Sequence, residues 1–147
     1  MTTFKSVNRT LVVPGPSFTP VSGGLAGGRV CGFYDTYVIP ASGFADGDNI
    51  EFGIENTLKK GDVFLDFALW HEAMGSSVVA ALGDDGSATR YASALDVAAL
   101  ATAAKKPNLY TGIGYQLTQD RPLLLRLSGA APTAAKGLKL WWWVLRA

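Results

Sequence analysis

Apolar and polar residues alternate along most of this chain with a period of two. Ile50, Phe52 and Ile54 are separated by Glu51 and Gly53, the pattern of a strand with one wet face. The stretch 61–73, GDVFLDFALWHEA, alternates as well. It predicts a core face of Val63, Leu65, Phe67 and Leu69, and a second, partly covered face of Phe64, Asp66, Ala68 and Trp70. Val78 to Leu82 is a short apolar run. The Asp85-Gly86 pair that follows predicts a hairpin with a return strand over Ala88 to Ala92. Tyr110 to Thr118 alternates with Thr111, Ile113, Tyr115 and Leu117 on one side. Pro122 introduces a strand over Leu123 to Ser128, and Gly137 to Arg146 predicts a final one.

One stretch carries a helical signal. Ser93 and Asp96 have capping-box spacing, the residues after them are rich in Ala and Leu, and Pro107 stops the run. A helix over Ser93 to Lys105 is one reading, and a long loop is the other. Short strands with frequent turn signals predict an all-β fold, a jelly-roll-like sandwich or barrel.

The first 29 residues differ from the rest. Pro14, Pro16, Pro20 and the glycines at 23, 24, 27 and 28 break regular structure, yet Phe4, Leu11, Val12, Val13 and Phe18 are apolar. This predicts an extended Gly/Pro-rich arm over 1–29 and a single β domain over 30–147. Such an arm suits ordering on a neighbouring subunit. The other reading is a strand and loop folded onto its own domain.

The 147 residues suffice for one domain with its own core. Thirteen Lys and Arg balance twelve Asp and Glu, leaving +1. That offers no handle on a phosphate backbone or an anionic membrane, so neither nucleic acid nor membrane is expected as a partner. Cys31 is the sole cysteine, which makes an internal disulfide impossible and suits a reducing compartment. The opening residues lack an apolar stretch long enough for a secretory signal.

Catalytic templates fail one after another. His71-Glu72 begins like a zinc-protease motif, but His71 is the only histidine. No G-x-S-x-G elbow presents a serine. A Cys31–His71 dyad requires the two to meet in space, and Cys31 reads better as a small core residue. GGLAGGRV has phosphate-loop spacing, but Arg29 and Val30 stand where Lys and Ser or Thr belong. Counting a calcium loop from Asp46 puts Glu51 at the glycine position and Thr57 at the bidentate position. Glu51, Glu55, Asp66 and Glu72 keep a carboxylate-pair hydrolase open as an alternative. The expectation is a non-enzyme with no cofactor, no metal and no catalytic residue.

Trp141, Trp142 and Trp143 are the least ordinary feature. Trp142 shares parity with Leu138, Leu140 and Val144, so it belongs to the core. Trp141 and Trp143 fall on the other face, about 7 Å apart. Left open, they form a patch for a protein or a sugar; covered by a second layer, they are packing. The candidate interface residues are therefore Phe4, Leu11, Val12, Val13, Phe18, Phe64, Trp70, Trp141 and Trp143.

Three runs resemble a known family. They are GDVFLDFALWHEA, then LGDDGSATRYASALDVAAL, then YQLTQDRPLLLRLSGAAPTAAKGLKLWWWV. A strand opening with Gly-Asp, a hairpin with an Ala/Asp/Val loop, an Asp-x-Pro entry and a final aromatic strand are similar to those of capsid decoration, or cement, proteins of tailed bacteriophages. The similarity spans roughly 30–147. It implies a virion structural protein that binds and stabilises the outside of a phage head, made in the host cytoplasm and located at the capsid surface. It implies a homotrimer whose partner is the major capsid protein. A carbohydrate- or receptor-binding β-sandwich of a phage fibre or tail is the alternative.

Overall fold

In a computed structural model, residues 1–5, 24–25, 28–99 and 112–146 are described. They hold nine strands and no helix. The strands are β1 Thr3–Lys5, β2 Gly24–Leu25, β3 Gly28–Val38, β4 Asn49–Phe52, β5 Val63–His71, β6 Val79–Asp84, β7 Ser87–Asp96, β8 Leu123–Ser128 and β9 Gly137–Arg146. A five-stranded sheet runs β1-β4-β8-β6-β7, and a four-stranded sheet runs β2-β3-β9-β5. All pairs are antiparallel except β1 on β4. The molecule is a β-sandwich, as the alternation predicts.

β9 organises the four-stranded sheet because it pairs on both sides, with β3 and with β5. Leu138, Leu140, Trp142 and Val144 point inward and are buried. Trp142 stacks on its cross-strand neighbour Phe33, ring centres 5.3 Å apart. The two sheets meet where Phe64 of β5 stacks on Tyr91 of β7 at 4.0 Å. Burial pushes the Tyr91 hydroxyl well above its usual pKa, and the adjacent Asp84 charge adds to this. Ile50, Phe52, Leu82, Leu123, Leu125 and Leu127 fill the same interior from the five-stranded sheet.

Buried carboxylates close the ends of the sandwich. Asp84 accepts from Gly86 N, Ser87 N, Arg90 Nε and the Tyr91 hydroxyl, which braces the β6–β7 hairpin. Asp62 accepts from Lys59 N and from Arg146 at 2.6 Å, tying the loop before β5 to the end of β9. That hydrogen bond raises the Arg146 pKa above its ordinary value. Asp48 accepts from Ala45 N and Thr2 N, which holds the chain start beside β4.

Four expectations change. Phe64 lies in the core, fully buried, and not on the second face. Phe64 pairs with Val144 and Asp66 with Trp143, so Leu65 is an extra residue that reverses the parity of everything before it. Beyond the bulge, Phe67 and Leu69 point inward while Asp66, Ala68 and Trp70 point outward, as expected. The capping-box pair Ser93 and Asp96 opens no helix: both belong to β7, held by Ala80↔Leu95 and Val79↔Asp96 pairing with Leu95 in the core. The remainder of that helix, from Leu100 on, lies outside the described residues. Of the strand expected over 110–118, residues 112–118 make only an isolated bridge at Gln116, and Gly114 with φ of 85° breaks the run. Ile54 lies past the end of β4, beyond the Gly53 turn, and is 61% exposed.

The two described pieces of the N-terminal arm, β1 and β2, each lie at the edge of a sheet. Leu11, Val12, Val13 and Phe18 fall outside the described residues.

Two tests follow from this packing. Trp142→Ala should cost roughly 3–5 kcal/mol of stability, with Trp141→Ala and Trp143→Ala costing less. Equal losses in denaturant titrations would remove the inside-outside alternation of β9. The second test concerns Asp48, whose pKa is lowered by its backbone hydrogen bonds from Ala45 and Thr2. A carboxyl with a depressed folded pKa stabilises above its unfolded value and loses that contribution as pH falls through the folded one. Asp48→Asn should therefore be less stable than the parent at neutral pH, and the gap should narrow below about pH 4, the ordinary aspartate range. A gap that stays constant down to pH 2 would show that the Asp48 charge contributes nothing.

Candidate functional site

The outward faces of the two sheets differ sharply. The five-stranded sheet presents Glu51, Arg126, Ser128 and Asp96 together with Val79 and the buried Leu124, and no aromatic ring among the described residues. The four-stranded sheet presents aromatic and aliphatic side chains in cross-strand rows, fixed by the β3–β9–β5 register. Val30, Leu145 and Val63 form the first row. Gly32, Trp143 and Asp66 form the second, and Tyr34, Trp141 and Ala68 the third. Thr36, Lys139 and Trp70 make the fourth, and Val38 with Gly137 ends the face beside Glu72.

The aromatic rings pack against one another across the strands. Tyr34 lies 4.6 Å from Trp141, and Trp70 meets the other side of Trp141 edge-on at 6.2 Å. Tyr34 is 40% exposed and Trp70 37%. Gly32 leaves room for the Trp143 indole: a Cβ there would sit 3.1 Å from Nε1 and 3.2 Å from Cδ1. The indole therefore covers the backbone and flattens this part of the face. A sheet face exposed to water normally carries polar residues, and contiguous apolar area there marks a contact surface.

Of the sequence candidates, the structure brings Trp70, Trp141 and Trp143 together on this face. Phe64 lies in the core instead, and Phe4 is placed in β1, at the far edge of the other sheet. Tyr34 completes the cluster and was not singled out from the sequence. In β3 both parities carry aromatics, Phe33 and Tyr37 on one and Tyr34 on the other, so alternation by itself does not separate them. Only the pairing of Tyr34 with Trp141 does.

Beyond Trp70 the face deepens into a groove of about 520 Å³, lined by Thr36, Val38, Trp70, Glu72 and Lys139, with Tyr37 and His71 behind. Glu72 accepts from Gly137 N at 2.6 Å. Burial pushes the Tyr37 hydroxyl up to about 12, with the Asp48 charge adding to the rise.

The residues tested for catalysis do not converge. Cys31 pairs with Val144 and His71 with Leu138, six residues along β9, which is about 20 Å. Both are buried, and His71 Nδ1 sits 2.9 Å from the Glu72 carbonyl oxygen. Glu51 and Asp66 lie on the outward faces of opposite sheets. Among the described residues no three His, Cys, Asp or Glu are grouped as metal ligands, and no helix is long and apolar enough to cross a membrane.

No protein-family model matches the chain, and no curated protein does. A solved structure does: a chain of the cyanophage Pam1 capsid asymmetric unit superposes with a TM-score of 0.64 at 22% identity, covering 89% of this chain and 94% of that one. At that identity the likeness shows a shared fold.

Cys31→Ser and His71→Ala should each fold and keep the biological activity of the parent, with a stability loss of about 0.5–3 kcal/mol, the usual range for single substitutions. A folded His71→Ala protein without that activity would bring the enzyme reading back.

Proposed function

We propose that this chain is a capsid decoration protein of a tailed bacteriophage, which binds the outside of the head through the aromatic face of its four-stranded sheet. The observation that carries this is the contrast between the two outward faces, clustered aromatic rings on one sheet and none among the described residues of the other. The fold shared with a chain of a cyanophage capsid asymmetric unit supports a virion setting. So does the resemblance of the three sequence runs to cement proteins.

Size decides what kind of contact the face makes. The three upper rows on three strands, at about 4.8 Å between strands and about 6.8 Å between same-face residues, cover roughly 290 Å². Buried against an equal area, that totals about 600 Å², below the size of a stable specific interface. One such contact is weak alone but strong when repeated, as on a symmetric shell where linked subunits engage together. The neighbours in this reading are the major capsid protein and copies of the chain itself, in a homotrimer. The arm anchors Leu11, Val12, Val13 and Phe18 would add area to the same contacts.

The test uses the double variant Trp141→Asp, Trp143→Asp. Light scattering at micromolar protein should give a trimer for the parent, and co-sedimentation should show it bound to undecorated phage heads. The variant should lose at least one of the two properties while keeping its circular dichroism. Loss of the trimer alone assigns the face to copies, and loss of sedimentation alone assigns it to the capsid protein. If the parent neither trimerises nor sediments, the reading is wrong.

A further inference from the structure

The groove at the end of the aromatic face differs in chemistry from the rows above it. Apart from Asp66, the upper part is apolar, made by Val30, Leu145, Val63, Trp143, Tyr34 and Trp141. The lower part combines one exposed indole with polar groups of both hydrogen-bonding kinds. Trp70 stands on one wall. Lys139, its cross-strand neighbour, brings three N–H donors, Thr36 a hydroxyl, and Glu72 a carboxylate acceptor. Glu72 holds Gly137 N through Oε2 and makes no ion pair with Lys139 within 4.0 Å among the described residues. The groove thus offers a donor and an acceptor that are not paired with each other beside one indole.

We propose that this groove is a binding site for a neutral hexose unit of a polysaccharide. A pyranose ring has one face of C–H bonds, which are attracted to the negative face of an indole quadrupole. Its rim of hydroxyls both donates and accepts, so it needs an ammonium or hydroxyl and a carboxylate at the ring edge, as Lys139, Thr36 and Glu72 supply. The volume, about 520 Å³, lies in the range of small-molecule sites, about 300–1,000 Å³. Trp70 is preorganised, because its edge-on contact with Trp141 fixes the indole before any ligand arrives. Opposite charges on the rim leave no net field to select an anionic sugar. The site lies at the far end of the face from Val30, Trp143 and Leu145, and it does not depend on the decoration role. A virion protein with such a groove would hold the particle at polysaccharide surfaces.

The full chain titrated with maltose, cellobiose and lactose tests this, read by the Trp70 indole N–H resonance and by tryptophan fluorescence. A saturable shift with at least one of the three is expected. Trp70→Ala should weaken it about tenfold, the size of one lost stacking contact. Lys139→Ala and Glu72→Gln, both at exposed positions, should weaken it severalfold with the fold intact by circular dichroism. Ile54→Ala, on a distant turn, should leave it unchanged. No saturable response up to 50 mM, about the weakest affinity worth calling a site, would overturn the proposal. So would a response confined to uronic-acid oligosaccharides, or one that survives Trp70→Ala together with Lys139→Ala.

Discussion

The placement of β9 between β3 and β5 is the constraint on which the rest of this structure depends. A strand paired on both sides has no freedom to slip, because a one-residue shift would exchange its two faces against two neighbours at once. Leu138, Leu140, Trp142 and Val144 are thereby committed to the interior, and the stacking of Trp142 on Phe33 confirms that register in side-chain terms. The same commitment turns Trp141 and Trp143 outward. Core and contact surface are two consequences of one pairing.

The interior tolerates charge only where the backbone surrounds it. Asp84, Asp62 and Asp48 each receive several N–H donors and lie at strand ends or in turns, not among the aromatic rings. Two of them tie a loop to a segment distant in sequence, Asp62 to the end of β9 and Asp48 to the start of the chain, while Asp84 braces its own hairpin. An antiparallel sandwich has long separations between paired strands, and such ties limit the freedom of its connections. Removing one partner would strand a buried charge, which is costly in a low-dielectric interior.

Much of the fold was legible from local rules. Period-two alternation marked β4 and β9, Pro122 marked the entry to β8, and Asp85-Gly86 marked the β6–β7 hairpin, because each depends only on neighbours in the chain. The misses needed information that distant residues hold. Ser93 to Asp96 has a helical spacing, yet pairing with Val79 and Ala80 and burial of Leu95 draw it into β7. Thr111 to Leu117 alternates well, but the chain there turns at Gly114. Phe64 was assigned to the wrong face because a bulge has no reliable sequence mark. For the candidate site, the tryptophans were visible as a run. The groove was not, since Thr36, Glu72 and Lys139 come from three separate strands or strand ends.

The extra residue at Leu65 acts as a dislocation in an otherwise regular lattice. Before it the strand is read in one phase and after it in the other, so a single strand can send Phe64 across to Tyr91 and still present Trp70 outward. Were Leu65 paired in its turn, the strand would keep a single phase along its length, and Phe64 and Trp70 could no longer face opposite ways.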